Sequence, residues 1–112
     1  RRLVSMNHLV PAALPPEANP HREPFDIRRA SEGDIDTAAP LFDAYRQFYG
    51  QPADPGGSAT FLRERVGRGE SEVLMALACP MRPVGFVQLY PSFSSIACGP
   101  LYILNDLFVH PD

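Results

Sequence analysis

Leu101-Tyr102-Ile103-Leu104-Asn105-Asp106-Leu107-Phe108-Val109-His110-Pro111 is the stretch on which the reading of this chain turns. It is apolar from Leu101 to Val109 except at Asn105-Asp106, where an uninterrupted core strand would carry two more apolar residues. Length and composition predict a β-strand. The polar pair predicts either a bulge or two side chains with a chemical task.

Two further strands precede it. Val73-Leu74-Met75-Ala76-Leu77-Ala78 is an almost unbroken apolar run, and Pro80-Met81-Arg82-Pro83 turns the chain into Val84-Gly85-Phe86-Val87-Gln88-Leu89-Tyr90. So short a connection makes these two antiparallel neighbours. Pro91 to Pro100, rich in Ser, reads as a longer loop. Further upstream, Ile35, Ala38, Leu41, Phe42, Tyr45 and Phe48 recur at spacings of three and four, laying an apolar stripe along a helix that Gly50 ends. Pro40 falls inside it and predicts a kink or a loose first turn. Ser31-Glu32-Gly33-Asp34 matches a capping box ahead of that helix, with Asp34 as another candidate cap. Gln51 to Gly57 reads as a connector in which no regular element persists, and Ser58 is placed to cap a second helix with Phe61, Leu62 and Val66 inward. Phe25-Asp26-Ile27-Arg28-Arg29-Ala30 alternates like a half-buried strand. The order is strand, helix, helix, strand, strand, strand: an α+β fold with an antiparallel meander and helices packed on it.

Residues 1–24 hold Pro11, Pro15, Pro16, Pro20 and Pro24 and read as an extended, mobile arm ahead of a domain over residues 25–112. The chain of 112 residues opens on Arg1 and stops directly after its last apolar strand, as a piece of a longer domain would. At this size folding hides roughly 65% of the unfolded surface, enough for a core without metals or disulfides.

Composition removes several function classes. Net charge is -3 and all ten basic residues are Arg without a basic stripe, which argues against a nucleic-acid partner. No apolar run reaches membrane-spanning length and no signal-peptide pattern opens the chain, so a cytoplasmic setting with no membrane partner is expected. Cys79 and Cys98 lack CxxC spacing and are expected as buried free thiols. His8, His21 and His110 are dispersed, and there is no GxGxxG, P-loop, HExxH or GxSxG, so no metal site is expected.

Taken together, the element order and Leu104-Asn105-Asp106-Leu107-Phe108-Val109-His110-Pro111 resemble the first half of a GCN5-related N-acetyltransferase, the GNAT superfamily. Leu107, Val109 and Pro111 fit its L-x-V-x-P stretch, with Ile27-Arg28-Arg29-Ala30, Asp34 and Val84-Gly85-Phe86 as supporting echoes. The resemblance covers residues 25–112. It implies acetyl transfer from acetyl-CoA, as cosubstrate, to a primary amine of a small molecule or side chain. It also implies that the R/Q-x-x-G-x-G/A pyrophosphate loop and the tyrosine that protonates the thiolate come later, so that these residues alone are inactive. Backbone groups of Leu107, Phe108 and Val109 would bind the thioester carbonyl or pantetheine amides, and Asp106 would orient or deprotonate the amine. Tyr45, Tyr49 and the Phe93 loop would wall the acceptor pocket.

Within the superfamily the look is closest to the diamine and thialysine acetyltransferases, whose fourth strand carries Leu-Glu-Asp. Asn105 stands at the position of that Glu and cannot act as a base or supply charge, which puts polyamine specificity in doubt. The other reading of the same residues is a truncated, non-catalytic module that offers its last strand to a partner, a homodimer being its simplest form.

Overall fold

A computed structural model describes residues 25–78 and 81–111 together with the backbone of Arg2–Ser5. Its elements run β1 (Arg2–Ser5), β2 (Phe25–Arg29), α1 (Ile35–Phe48), α2 (Pro55–Gly67), β3 (Glu72–Ala78), β4 (Arg82–Ser94) and β5 (Gly99–Val109). Among the described residues these strands form one sheet in the order β1-β5-β4-β3-β2. The pairs β2–β3, β3–β4 and β4–β5 are antiparallel, and β1 lies parallel to β5. The α+β meander expected from the sequence is present.

β1 departs from the mobile arm expected over residues 1–24. Arg2–Ser5 precede the prolines, so each residue there can donate to a ladder, and the segment pairs with Leu101–Leu104. The remainder of the arm, with His8 and His21, lies outside the described residues, as does Cys79.

The core fills the space between α1, α2 and one face of the sheet. Ile35, Leu41, Leu62, Val73, Met75 and Phe86 are all buried in it. α1 follows a 3-10 turn at Glu32–Asp34, where Ser31 N and Ser31 Oγ both donate to Asp34 Oδ2 at 2.8 and 2.9 Å. Pro40 sits on the exposed side inside α1. Gly50, at φ +89°, ends the helix in a conformation that only glycine adopts without strain.

Several expectations are corrected. α2 begins at Pro55, not Ser58, because Pro suits the first helical position and Asp54 caps it, accepting from Gly57 N at 3.0 Å. Pro91–Ser94 are strand, paired with Gly99–Tyr102 across a turn over residues 95–98. Beyond Leu89, β4 has β5 as its neighbour and no pairing to β3, so Pro91 interrupts no second ladder. β2 is exposed throughout rather than half-buried, since α1 and α2 do not cover it. Phe48 is 73% exposed although it continues the α1 stripe, and Cys98 is exposed at a positive φ.

The sheet's opposite face carries no described helix. Ile27, Leu107 and Val109 are exposed there, along an apolar groove of about 230 Å³.

Candidate active site

Local strand geometry builds the site. Leu89 pairs with Leu104, but the next residue back, Gln88, pairs with Asp106. Asn105 is therefore the extra residue of a β-bulge. Side chains alternate along a strand, so Asp106 shares the helix-covered face with Gln88, Phe86 and Phe108.

Asp106 is 6% exposed, and three donors converge on its carboxylate. Tyr45 Oη donates to Oδ1 at 2.6 Å, Asn105 Nδ2 to Oδ1 at 3.1 Å, and Gln88 Nε2 to Oδ2 at 2.7 Å. Gln88 is fully buried, and its Oε1 accepts from Ser71 Oγ at 2.8 Å. That bond fixes which way the Gln88 amide faces, so that its NH2 group is turned to Asp106. Among the described residues no arginine forms an ion pair with Asp106; neutral donors alone surround it.

Burial, followed by the bond to Asp106, pushes the Tyr45 phenol far above its ordinary value of 10.0. Tyr45 thus stays protonated and serves as a donor. Tyr90 is also pushed up, first by burial and then by the Asp106 charge.

These groups line a cleft of about 410 Å³ between α1, α2 and the β4–β5 pair. Its aromatic lining is Phe42, Tyr45, Phe61 and Tyr90, and its charged lining is Arg46, Asp54 and Asp106. Phe42 and Phe61 stack at 5.7 Å, nearly parallel, and Tyr45 meets Phe86 and Phe108 edge-on at 5.4 and 5.7 Å. Such ring pairs hold one wall in a fixed shape. Asp43 fixes the other wall. Its Oδ1 accepts from Asp54 N at 3.0 Å and Ser58 Oγ at 2.8 Å, and its Oδ2 from Gln47 Nε2 at 3.0 Å, tying the α1–α2 connector to α1. These bonds, Ser58 first, hold the Asp43 carboxyl below its ordinary range.

β5 also presents main-chain groups. His110 N donates to Val84 O at 2.8 Å, so by the two-residue alternation of an antiparallel ladder Phe108 turns its peptide groups to β4. Leu107 and Val109 then turn theirs away from β4. β1 covers the outer flank only along Leu101–Leu104, so no described strand pairs with those two residues on that side. Of the three residues expected to offer backbone groups, Leu107 and Val109 can do so and Phe108 is committed to the sheet.

The structure thus brings Asp106, Asn105 and Tyr45 together in one cleft. Tyr49 reaches it indirectly, edge-on to Tyr45 at 5.1 Å, and Phe93, 78% exposed on the β4–β5 hairpin, does not line it. Gln88, Ser71, Arg46 and Tyr90 escaped the sequence reading; the one signal available was a lone Gln in the apolar run Val84–Tyr90. No group of three or more His, Cys, Asp or Glu able to hold a metal occurs among the described residues, nor any helix long and apolar enough to cross a membrane.

No family model matches the chain. It is 46% identical over 87 residues to YhfO of Bacillus subtilis, named an uncharacterised N-acetyltransferase, covering 78% of this chain and 58% of that protein. It is 37% identical over 81 residues to a probable acetyltransferase of Haemophilus influenzae, covering 72% of this chain and 56% of the relative. A crystal structure of a probable acetyltransferase superposes with a TM-score of 0.73 at 44% identity, covering 78% of this chain and 58% of that one. The chain therefore spans little more than half the length of the relatives it matches. With the order β2-α1-α2-β3-β4-β5, the bulged last strand and these likenesses in agreement, the chain belongs to the GNAT superfamily and represents the N-terminal part of its fold.

Proposed function

We propose that the whole protein is a cytoplasmic N-acetyltransferase that moves an acetyl group from acetyl-CoA to a primary amine. One observation carries this reading. A buried carboxylate, Asp106, stands on β5 just ahead of Leu107 and Val109, whose outward main-chain groups no described strand pairs with.

The division of labour follows from strand geometry. Asp106 faces the aromatic cleft and draws an amine into it, where the ring walls exclude water. Tyr45, held as a phenol, keeps Asp106 aimed and cannot itself take the amine's proton. The outward N–H and C=O groups of Leu107 and Val109 fit an extended chain carrying amides, which is the chemistry of a pantetheine arm, as strand addition fits any peptide-like ligand. When bound, acetyl-CoA would supply a thioester whose acyl carbon a neutral amine attacks: the C–N bond forms, the C–S bond breaks, and the proton given up by nitrogen balances the one taken up by the departing sulfur. An N–H directed at that carbonyl stabilises the charge that develops on its oxygen.

The test is a thiol-release assay on the full-length protein with acetyl-CoA and a panel of primary amines. Release with at least one amine, abolished by Asp106→Ala in a variant that still folds, is the expected result. No release with any amine overturns the proposal.

A further inference from the structure

Arg46 is the one cleft-lining group that neither the fold nor the proposed chemistry accounts for. It follows Tyr45 on α1, lines the same cleft as Asp106, and its side chain is 31% exposed. Its only ionic neighbour among the described residues is Asp43 Oδ1 at 3.8 Å, beyond hydrogen-bond distance. That oxygen is already taken by Asp54 N and Ser58 Oγ, and Oδ2 by Gln47. A guanidinium has five N–H donors, and among the described residues this one makes no hydrogen bond. A cation in the last turn of a helix is favoured by the macrodipole, which accounts for a basic residue type here. It does not account for a fork of unused donors facing the cleft that holds Asp106.

The other charges of the cleft sharpen the point. Asp54 caps α2 through Oδ1 alone, so the cleft offers two carboxylates, Asp106 and Asp54, to a cation, and Arg46 is the one described cleft-lining group able to meet an anion. A substrate with several positive charges would place one of them against Arg46. We infer that the acceptor is a primary amine that carries an oxyanion, a carboxylate or a phosphate, with the amine directed to Asp106 and the oxyanion held by Arg46. This inference rests on the acetyl-transfer reading for the identity of the cleft as the acceptor site. It narrows that reading from amines in general to anionic amines, and it sets polyamines and other polycations aside.

The test measures binding and turnover separately on the full-length protein. Without acetyl-CoA, the affinities of 5-aminopentanoate, 3-aminopropyl phosphate, 1-aminopentane and 1,5-diaminopentane are compared by calorimetry for wild type, R46Q and R46K. One of the two anionic amines is expected to bind about tenfold or more tightly than 1-aminopentane, as a hydrogen-bonded charge pair provides. Which of them does so tells carboxylate from phosphate. R46Q is expected to erase that preference and leave 1-aminopentane unchanged, and R46K to restore part of it as a point charge.

Equal binding of 1-aminopentane or 1,5-diaminopentane, an R46Q loss shared by all four ligands, or no binding of any amine overturns the inference. Thiol release then tells the two proposals apart. Turnover of all amines without preference sinks this inference alone. Arg46-dependent binding without turnover of any amine sinks the acetyl-transfer reading and leaves the anionic-amine site standing.

Discussion

Tyr45 Oη donates to Asp106 Oδ1 at 2.6 Å across 61 residues of sequence, joining the helix that walls the cleft to the strand that floors it. Tyr45→Phe removes the donor and keeps the ring, so the aromatic packing against Phe86 and Phe108 survives. A hydrogen bond to a charged group contributes about 1.5–3 kcal/mol, so kcat/KM for the amine is expected to fall roughly tenfold or more, with KM for acetyl-CoA unchanged. The phenol lies above its ordinary 10.0 in the folded state, so its stabilising share is complete below pH 10.0 and is lost as pH rises through the folded value. Chemical denaturation of wild type and Tyr45→Phe should give a constant difference up to pH 10.0 and a shrinking one above it. A difference that changes between neutrality and pH 9 contradicts this assignment.

Gln88 and Ser71 act through Asp106. Ser71→Ala frees the Gln88 amide to turn over, which would point its oxygen at the carboxylate. The expected result is a lower kcat/KM for the amine together with a stability loss of about 1–3 kcal/mol for the buried Gln88 oxygen left without its donor, both recovered at least in part in Ser71→Thr. Gln88→Leu leaves Asp106 short of one buried donor and should cost about 1–3 kcal/mol in stability. A double-mutant cycle between Ser71→Ala and Gln88→Leu checks the relay: additive losses of activity would show that the two act separately.

A proline pair separates the open flank from the ladder. Leu107→Pro removes an N–H that serves no described strand, whereas Phe108→Pro removes one committed to β4. Leu107→Pro is expected to retain a cooperative unfolding transition while weakening acetyl-CoA binding about tenfold, the worth of a hydrogen bond in a dry site. Phe108→Pro should lose the fold. If both variants bind acetyl-CoA like wild type, the main chain of β5 does not hold it.

Asp43 ties the α1–α2 connector in place, and its folded carboxyl titrates below the ordinary 3.8. For a depressed acid the stabilising share is present above the unfolded value and is lost as pH falls through the folded one. Asp43→Asn should therefore be less stable than wild type at neutral pH, with the gap closing as pH drops below 3.8. Urea midpoints across that range measure it. A gap that stays open at the acid end points to packing rather than charge as the cause.

The sequence was most legible where a residue type clashed with its surroundings. Asn105-Asp106 inside an apolar strand demanded an explanation, and the structure supplies two: Asn105 is the bulge residue and Asp106 is the buried carboxylate. Residues whose partners lie far away in sequence were less legible. Ser58 looks like a cap by local rules, but Asp43 takes its hydroxyl from the preceding helix and Asp54 caps instead. Pro91 and the serines beside it carry loop composition, yet they lie where β4 pairs on one side only and a proline is tolerated. Phe48 keeps the period of its helix, which says nothing about where the opposing surface stops. Arg46 is one arginine among ten until the structure places it on the lining of the cleft that holds Asp106.

The inserted Asn105 has a further implication. Leu104 and Asp106 already occupy opposite sides of β5, each matched to its own residue on β4. Deleting Asn105 would make them adjacent, and adjacent strand residues point to opposite sides by default. A chain one residue shorter would therefore keep Leu104 and Asp106 on the faces they occupy now, while losing the Asn105 donor to Asp106. What it would forfeit is the local bend that the extra peptide puts into β5, between the stretch paired with Arg2–Ser5 and the residues Leu107 and Val109, which no described strand accompanies on that side.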